Sequence, residues 1–209
     1  PSATPDAIRA ALEIRKNQVV VGFVGRMVGD KGVVELSKAW QIVRGLHSNA
    51  LLLLIGPREA SDAVPPDVLE QLDSDPRVRW VDTVANVAEY YSAMDMVVLP
   101  TYREGLPNVL LEAAAMELPV VATEVPGCVD VVVDGVTGML VPPQTVEPLA
   151  KAIDTYLSSS ALRKQHGASG RSHVVKNFAQ EIIWEALSEH YAALCNERPF
   201  ALGIVAGGN

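Results

Sequence analysis

The sequence has few cysteines and no long apolar run, and these absences exclude several classes of protein. Cys128 and Cys195 are the two cysteines among 209 residues. They are too few and too far apart for a disulfide scaffold or a metal cluster. Because no apolar run reaches the length of about 18 residues that a bilayer requires, the sequence predicts no transmembrane helix. The opening segment PSATPDAIRA lacks the basic start and apolar centre of a signal peptide.

An excess of positive charge is also missing. The 17 Lys and Arg residues are outnumbered by 25 Asp and Glu residues, which gives a net charge of −8. This balance argues against a nucleic-acid backbone and against an anionic membrane surface as partners. An anionic small ligand would need a local group of cations. The histidines have no metal-ligand spacing, so we expect surface or packing roles for them and no metal: His47, His166, His173 and His190.

Familiar cofactor and catalytic motifs are absent as well. No G-x-G-x-x-G follows the first predicted strand, and no P-loop occurs. No acidic residue ends the second predicted strand, where a dinucleotide-binding domain holds the ribose. No nucleophile, histidine and acid form a recognisable set. The sequence therefore gives little support to a dinucleotide-dependent enzyme or to a hydrolase with a catalytic triad.

The chain does contain a regular alternation of short apolar runs and helical patterns. Most of the runs are continuously apolar, which indicates burial on both faces and hence a parallel sheet covered by helices on both sides. We predict an α/β, Rossmann-like fold with a six-stranded parallel sheet. The predicted strands are Val19–Val24, Ala50–Ile55, Val78–Val81, Asp95–Leu99, Pro119–Thr123 and Gly138–Val141.

The segments between and after these strands predict helices. The second helix carries Leu36, Trp40, Val43 and Leu46, which we place on one apolar stripe. Core positions are also predicted for Trp80 and Trp184. The predicted helices are Asp6–Arg15, Val33–His47, Val68–Leu72, Val84–Ala93, Leu110–Met116, a short one after Gly127, Val146–Ser158, Leu162–Lys176 and Ala179–Cys195.

The stretch Pro100–Glu112, PTYREGLPNVLLE, predicts a strand end, a tight loop and the start of a helix. Glu104 lies in the loop and Glu112 lies two turns into the helix, among apolar neighbours that suggest burial. A helix start offers free N–H groups to a phosphate, and Glu112 is suited to accept hydrogen bonds from a pair of ligand hydroxyls. The alternative is a helix-capping Glu104 and a structural Glu112 in an ion pair.

A glycine-rich loop, Gly25–Gly32 (GRMVGDKG), follows the first predicted strand. Arg26 and Lys31 in this loop precede a helix start, a combination that favours an anion site. The alternative is that both cations are solvated surface charges.

Two further loops follow predicted strands, where parallel sheets bind ligands. Val81–Val87 is a candidate wall for a base, or else an ordinary loop. At Val125–Cys128, Gly127 permits a close approach of the chain to a ligand, although a plain turn is equally consistent. We interpret Cys128 as a small buried side chain rather than a reactive thiol.

Three motifs in order resemble the nucleotide-sugar-binding half of retaining glycosyltransferases of family 4, especially those of capsular-polysaccharide and lipopolysaccharide synthesis. They are G-R-x4-K-G, the E-x7-E of EGLPNVLLE, and PVVATEVPGCVDVVVDGVTGMLVPP. The resemblance covers residues 10–195. It implies one half of a GT-B fold, in which two Rossmann-like domains face each other across the active site.

The resemblance also implies roles for individual residues. Arg26 and Lys31, after Gly25, match the basic pair that binds the donor diphosphate, and Glu104 matches the acid beside the donor sugar. These three are the implied catalytic residues. Glu112 matches the acid that binds the ribose hydroxyls. The remaining implied donor-binding positions are Val81 and Val87 around the base and Gly105, Leu106 and Pro107 facing phosphate and sugar. Asp130 stands where the family usually has Glu.

The family further implies an enzyme that transfers a hexose from a UDP- or GDP-type sugar to an acceptor glycan or glycolipid, without a cofactor. We predict an entry segment at residues 1–17, a donor-binding domain at 18–196 and a tail at 197–209. The acceptor-binding half is missing from this sequence, so we expect the isolated domain to be inactive. We expect a cytoplasmic location, with attachment to the inner membrane face through the missing half as an option.

Two other functional classes are retained as alternatives. One is a different GT-B enzyme, either a nucleotide-sugar epimerase or an inverting transferase. The other is a non-catalytic Rossmann module that binds a cofactor, although the missing dinucleotide motif speaks against it.

Overall fold

The computed structural model describes residues 4–59 and 62–197, which form a six-stranded parallel sheet flanked by α-helices. The strand order is β3-β2-β1-β4-β5-β6, and all neighbouring strands are parallel. The predicted fold class is therefore confirmed. The strands are β1 (Val19–Val24), β2 (Ala50–Ile55), β3 (Val78–Val81), β4 (Met96–Leu99), β5 (Val120–Thr123) and β6 (Gly138–Val141).

Helices cover both faces of this sheet, as the continuous apolar strands predict. One layer contains α2, α3 and α7, and the other contains α1, α4, α5, α6 and α8. This division follows from the contacts between helices and from the right-handed crossovers that parallel sheets prefer. The helices are α1 (Pro5–Ala11), α2 (Val33–Leu46), α3 (Pro66–Ser74), α4 (Val87–Tyr91), α5 (Asn108–Ala115), α6 (Cys128–Val131), α7 (Val146–Ser158), α8 (Ser160–Asn177) and α9 (Gln180–Glu197).

The strand order reverses direction at β1. From β1 the chain moves outward to β2 and β3, and it then returns to place β4 on the other side of β1. The loops that follow β1 and β4 consequently leave the same edge of the sheet in opposite directions. In parallel α/β sheets, ligands bind in the crevice that opens at such a switch point.

Two predicted helices are shorter in the structure. The predicted helix Asp6–Arg15 ends at Ala11, and Glu13 beyond it has a left-handed φ of 55°. The predicted helix Val84–Ala93 contains only Val87–Tyr91. At the start of that segment, the Asp82 carboxylate accepts a hydrogen bond from the Thr83 N–H at 2.7 Å. Such a local bond competes with helix formation.

Two predicted core residues are exposed. Leu46 is the last residue of α2 and is 66% exposed, whereas Leu36, Trp40 and Val43 on the same helix are buried. Trp184 is 60% exposed on α9, a helix without extensive contacts to another described element. By contrast, Trp40 is buried and Trp80 packs at the edge of the core.

The histidines for which the structure gives contacts have packing roles. His166 is buried and its Nδ1 lies 2.7 Å from the Tyr156 hydroxyl. Burial lowers the pKa of His166 below its ordinary value. His47 Nε2 lies 2.6 Å from the Asp154 carboxylate and so joins α2 to α7.

Among residues 4–59 and 62–197, no helix is both long enough and apolar enough to cross a bilayer. The predicted tail, residues 197–209, lies outside the described residues except for Glu197.

The contact of α8 with the end of α5 depends on a glycine. A Cβ added to Gly167 would stand 2.0 Å from the Glu117 carbonyl oxygen, whereas one added to Gly45 on α2 would meet nothing within 4 Å. We expect Gly167→Ala to lower the free energy of unfolding by about 1–3 kcal/mol through overpacking. Gly45→Ala, the matched control, should raise it by up to about 1 kcal/mol. Urea unfolding of both variants tests this contrast, and a Gly167→Ala variant as stable as wild type would contradict it.

Candidate functional site

An ion pair joins the two loops that border the switch point. Lys31, after β1, places its Nζ 2.5 Å from Oε1 of Glu104, after β4. The side chains are 18% and 14% exposed, so the pair is largely shielded from water. A shielded pair interacts more strongly than one in open solvent, since the effective dielectric constant around it is lower. Glu104 therefore acts as a partner of Lys31 and does not cap α5.

Backbone contacts between the same loops hold Lys31 in place. The Asp30 carbonyl accepts hydrogen bonds from the Tyr102 N–H at 2.8 Å and from the Thr101 hydroxyl at 3.2 Å. On the other side, the Asp30 N–H donates to the Asp62 carboxylate at 2.6 Å. A single 3-10 turn at Gly29–Lys31, fixed from both sides, thus carries the lysine.

The loop after β5 packs against the loop of Glu104. Gly127 has a left-handed φ of 80°, and a Cβ there would lie 2.2 Å from the Gly105 carbonyl oxygen. Its N–H donates to the Asp130 carboxylate at 3.2 Å. The close approach that Gly127 permits is therefore one between two loops, and Asp130 stabilises the turn that makes it.

Cys128 lies beside the ion pair. It is fully buried, and burial together with the nearby Glu104 charge raises the pKa of its thiol to about 12. A thiol that keeps its proton at neutral pH is a poor nucleophile. The interpretation of Cys128 as a buried filler is confirmed.

Arg26 does not contact the Lys31–Glu104 pair directly. Its Nη1 lies 2.9 Å from Oε2 of Glu59, in the loop after β2, and about half of its side chain is exposed. Arg26 and Gly25 still lie at the same edge of the sheet, where Gly25 backs against Gly56. Glu59 could not be recognised from the sequence, because its loop carries no recognisable motif.

Glu112 lines a groove between α4 and α5. The expectation that it is buried was wrong, because it is exposed and lies opposite the core face of α5, formed by Leu110, Ala113 and Ala114. Its Oε2 accepts a hydrogen bond from the Tyr91 hydroxyl at 3.0 Å. The groove measures about 360 Å³ and is mainly apolar, with these lining residues: Ala85, Asn86, Val87, Ala88, Tyr91, Glu112, Ala115 and Met116.

The other candidate positions lie at the same edge of the sheet. Pro107 is the N-cap of α5 and contributes no side-chain hydrogen bond, which leaves first-turn N–H groups open to a ligand. Leu106 is 48% exposed in the preceding turn. Val81 ends β3, and its carbonyl accepts a hydrogen bond from the Gly56 N–H at 3.0 Å. Only the later part of the loop Val81–Val87 lines the groove.

The predicted residues thus fall into three groups. Lys31 and Glu104 are in contact, Glu112 and Val87 share a groove, and Arg26 is held apart by Glu59. Tyr91, Asp62 and Glu59 are the site residues that sequence reasoning missed. Their partners lie 21 to 33 residues away in the chain, and no local spacing reveals such pairs.

No three His, Cys, Asp or Glu side chains are grouped as metal ligands in the part of the chain that the structure describes. The Asp-x-Asp sequence at residues 73–75 has structural partners instead. Asp73 pairs with Arg58 at 2.6 Å, and the buried Asp75 accepts from the Trp40 indole at 2.8 Å and pairs with Arg44.

Two solved structures illustrate the shared fold. HepE of Anabaena, solved in complex with UDP, superposes with a TM-score of 0.82 at 22% identity and covers 90% of this chain and 52% of its own. The C-terminal domain of LpcC, a glycosyl transferase group 1 protein of Francisella tularensis, gives 0.71 at 23% identity, covering 81% of this chain and 92% of that domain. At these identities the structures show a shared fold.

The sequence comparisons identify the family. The capsular polysaccharide biosynthesis glycosyltransferase CapM of Staphylococcus aureus is 35% identical over 185 residues. The match covers 88% of this chain and 49% of CapM, so the chain spans about half the length of that relative. A family model described as glycosyl transferases group 1 matches residues 18–159, well over half of the chain. The fold, the relatives and the family match together establish that the chain belongs to the group 1 glycosyl transferases.

Proposed function

We propose that the chain is the donor-binding domain of a retaining glycosyltransferase that uses a UDP- or GDP-type sugar. The observation that carries the proposal is the shielded Lys31–Glu104 pair at the switch point of the sheet. It lies where parallel α/β sheets bind ligands, beside an uncapped helix start. A cation, an acid and free N–H groups at one edge of the sheet suit a sugar linked to a diphosphate.

The diphosphate would be bound by Lys31 and by the first turn of α5. As the bond to the sugar breaks, negative charge grows on the departing diphosphate, and preorganised cations and N–H groups stabilise that charge. Arg26 would contribute a second cation once its guanidinium exchanges the Glu59 carboxylate for a phosphate oxygen. Gly105 and Leu106 would line the path between phosphate and sugar, with Glu104 beside the sugar hydroxyls.

The nucleoside would occupy the groove between α4 and α5. Its apolar walls, including Val87 and Ala88, are suited to the face of a base, and Glu112 can accept hydrogen bonds from the two ribose hydroxyls. Apolar pockets with a few placed polar groups are typical of small-molecule sites. The UDP complex of HepE, which shares this fold, makes UDP the first ligand to test.

The second half of the enzyme would supply the acceptor side. A partner domain facing the switch point would bind the acceptor glycan or glycolipid, and residues 18–196 would form the donor half. A role in polysaccharide synthesis, suggested by the similarity to CapM, would place the reaction at the cytoplasmic side of the membrane. The donor half alone would bind nucleotide and not transfer sugar.

The two retained alternatives differ in measurable ways. An epimerase or an inverting transferase of the GT-B type would bind the same donor, and the products of the longer protein would distinguish it. A cofactor-binding module would bind NAD in preference to UDP or GDP.

Nucleotide binding should stabilise the domain. We expect UDP at about 100 times its dissociation constant to add about 2.7 kcal/mol, which corresponds to about 5–10 °C in the thermal midpoint for a domain of this size. A thermal-shift screen of UDP, GDP, ADP, their sugars and NAD measures the effect. Stabilisation by NAD alone would contradict the proposal.

Lys31 should account for much of the phosphate affinity. We expect Lys31→Ala to weaken binding of UDP by about 30- to 100-fold, because a hydrogen bond to a charged group contributes about 2–3 kcal/mol. Lys38→Ala, which removes an exposed lysine from the next turns of α2, is the matched control. Calorimetry on both folded variants provides the measurement. Unchanged affinity in Lys31→Ala would remove Lys31 from the site.

Glu112 should act on the nucleoside and not on the phosphates. We expect Glu112→Ala to weaken UDP binding by about 10- to 100-fold and to leave free pyrophosphate binding within about twofold of wild type. Glu70→Ala, on the exposed face of α3, controls for the loss of one negative charge. Equal losses for UDP and pyrophosphate would rule out the ribose role.

A further inference from the structure

Tyr91 is a buried tyrosine whose hydroxyl reaches the rim of the candidate site. It is the last residue of α4 and is 1% exposed, with its ring in the hydrophobic core. Its hydroxyl donates to Oε2 of Glu112 at 3.0 Å. The residue thus combines an immobile ring with one polar atom that ends at a proposed ligand-binding carboxylate.

The proton of this hydrogen bond belongs to the tyrosine. Burial, followed by the charge of Glu112 and the hydrogen bond itself, raises the pKa of Tyr91 far above its ordinary value. The phenol therefore stays protonated at every physiological pH and remains a donor. Glu112 is the acceptor, and its second oxygen, Oε1, is left for the groove.

An exposed glutamate without such a partner samples several rotamers, and ordering it on ligand binding costs free energy. A donor fixed in the core removes part of that cost because it restricts the carboxylate before the ligand arrives. Tyr91 also ends the same short helix that carries Val87 and Ala88 into the groove. The hydrogen bond therefore sets the distance between the proposed base wall and the proposed ribose acceptor.

We propose that Tyr91 is a positioning residue that holds the Glu112 carboxylate in the orientation required to accept the ribose 2′-hydroxyl. The inference rests on the proposed function and adds to it a determinant of ribose over deoxyribose recognition. Tyr91 itself does not contact the ligand in this scheme; it acts through Glu112.

The test compares UDP with 2′-deoxy-UDP, which differ by the one hydroxyl. We expect the wild-type chain to bind UDP about 30-fold more tightly than 2′-deoxy-UDP, and Tyr91→Phe to reduce this ratio about tenfold, as the loss of one hydrogen bond to a charged group predicts. Phe keeps the buried ring. Tyr90→Phe is the matched control, because Tyr90 precedes Tyr91 on α4 and is only partly buried. Calorimetry gives both dissociation constants for each variant.

A double-mutant cycle shows whether Tyr91 acts through Glu112. In a Glu112→Ala background, Tyr91→Phe should cause no further change in the ratio of the dissociation constants for 2′-deoxy-UDP and UDP. The reason is that Tyr91 acts on the ligand only through Glu112, so the two effects are not additive. An additional loss in that background would overturn the positioning role. If Tyr91→Phe does not fold, Tyr91→Met replaces it, because a flexible apolar side chain adapts to the same volume and also lacks a donor.

The outcomes separate this inference from the proposed function. A wild-type chain that binds no nucleoside diphosphate overturns both. A wild-type chain that prefers UDP, together with a Tyr91→Phe variant that keeps the full preference, overturns the positioning role and leaves the proposed function intact. A lower thermal midpoint in Tyr91→Phe with an unchanged ratio assigns Tyr91 a structural role only and also overturns the proposal.

Discussion

The contact between Lys31 and Glu104 is the interaction on which the architecture of the site depends. It connects the loop after β1 to the loop after β4 at the point where the strand order reverses. Removing either partner would leave the other charge largely shielded and unpaired, which is far more costly than losing an exposed ion pair. The Asp30 carbonyl reinforces the link by accepting hydrogen bonds from Thr101 and Tyr102. The sheet thus provides the crevice, and this pair fixes its two walls.

The charge distribution reconciles an acidic chain with an anionic ligand. The net charge is −8, and each cation of the candidate site is matched by a carboxylate, Lys31 by Glu104 and Arg26 by Glu59. Because salt screens exposed charges more than shielded ones, the two pairs differ in strength. If the site binds a diphosphate as proposed, we expect a phosphate to displace Glu59 from the half-exposed Arg26 more readily than Glu104 from Lys31. The site would then contain one shielded cation–acid pair and one more exposed, more readily replaced pair.

Much of the fold could be predicted from the sequence, because continuous apolar strands separated by helical patterns specify a parallel sheet. The order of the strands could not be predicted, since the apolar pattern of Ala50–Ile55 does not reveal which strands pair with it in the sheet. Helical periodicity would have placed Glu112 opposite Leu110 and Ala113, but the apolar neighbours in sequence suggested burial instead. The Tyr91–Glu112 contact has no local signature. The exposure of Trp184 depends on packing around α9, which the sequence pattern alone does not specify.

The approach of Gly127 to the Gly105 carbonyl has a consequence for how the site responds to a ligand. No side chain separates the two backbones, and the Asp130 carboxylate stabilises the turn by accepting a hydrogen bond from the Gly127 N–H. A displacement of the loop after β4 is transmitted directly to the loop after β5, since their contact has no compressible layer between them. We therefore expect the two segments to move together, so that a ligand that displaced Glu104 would also displace the amino end of α6.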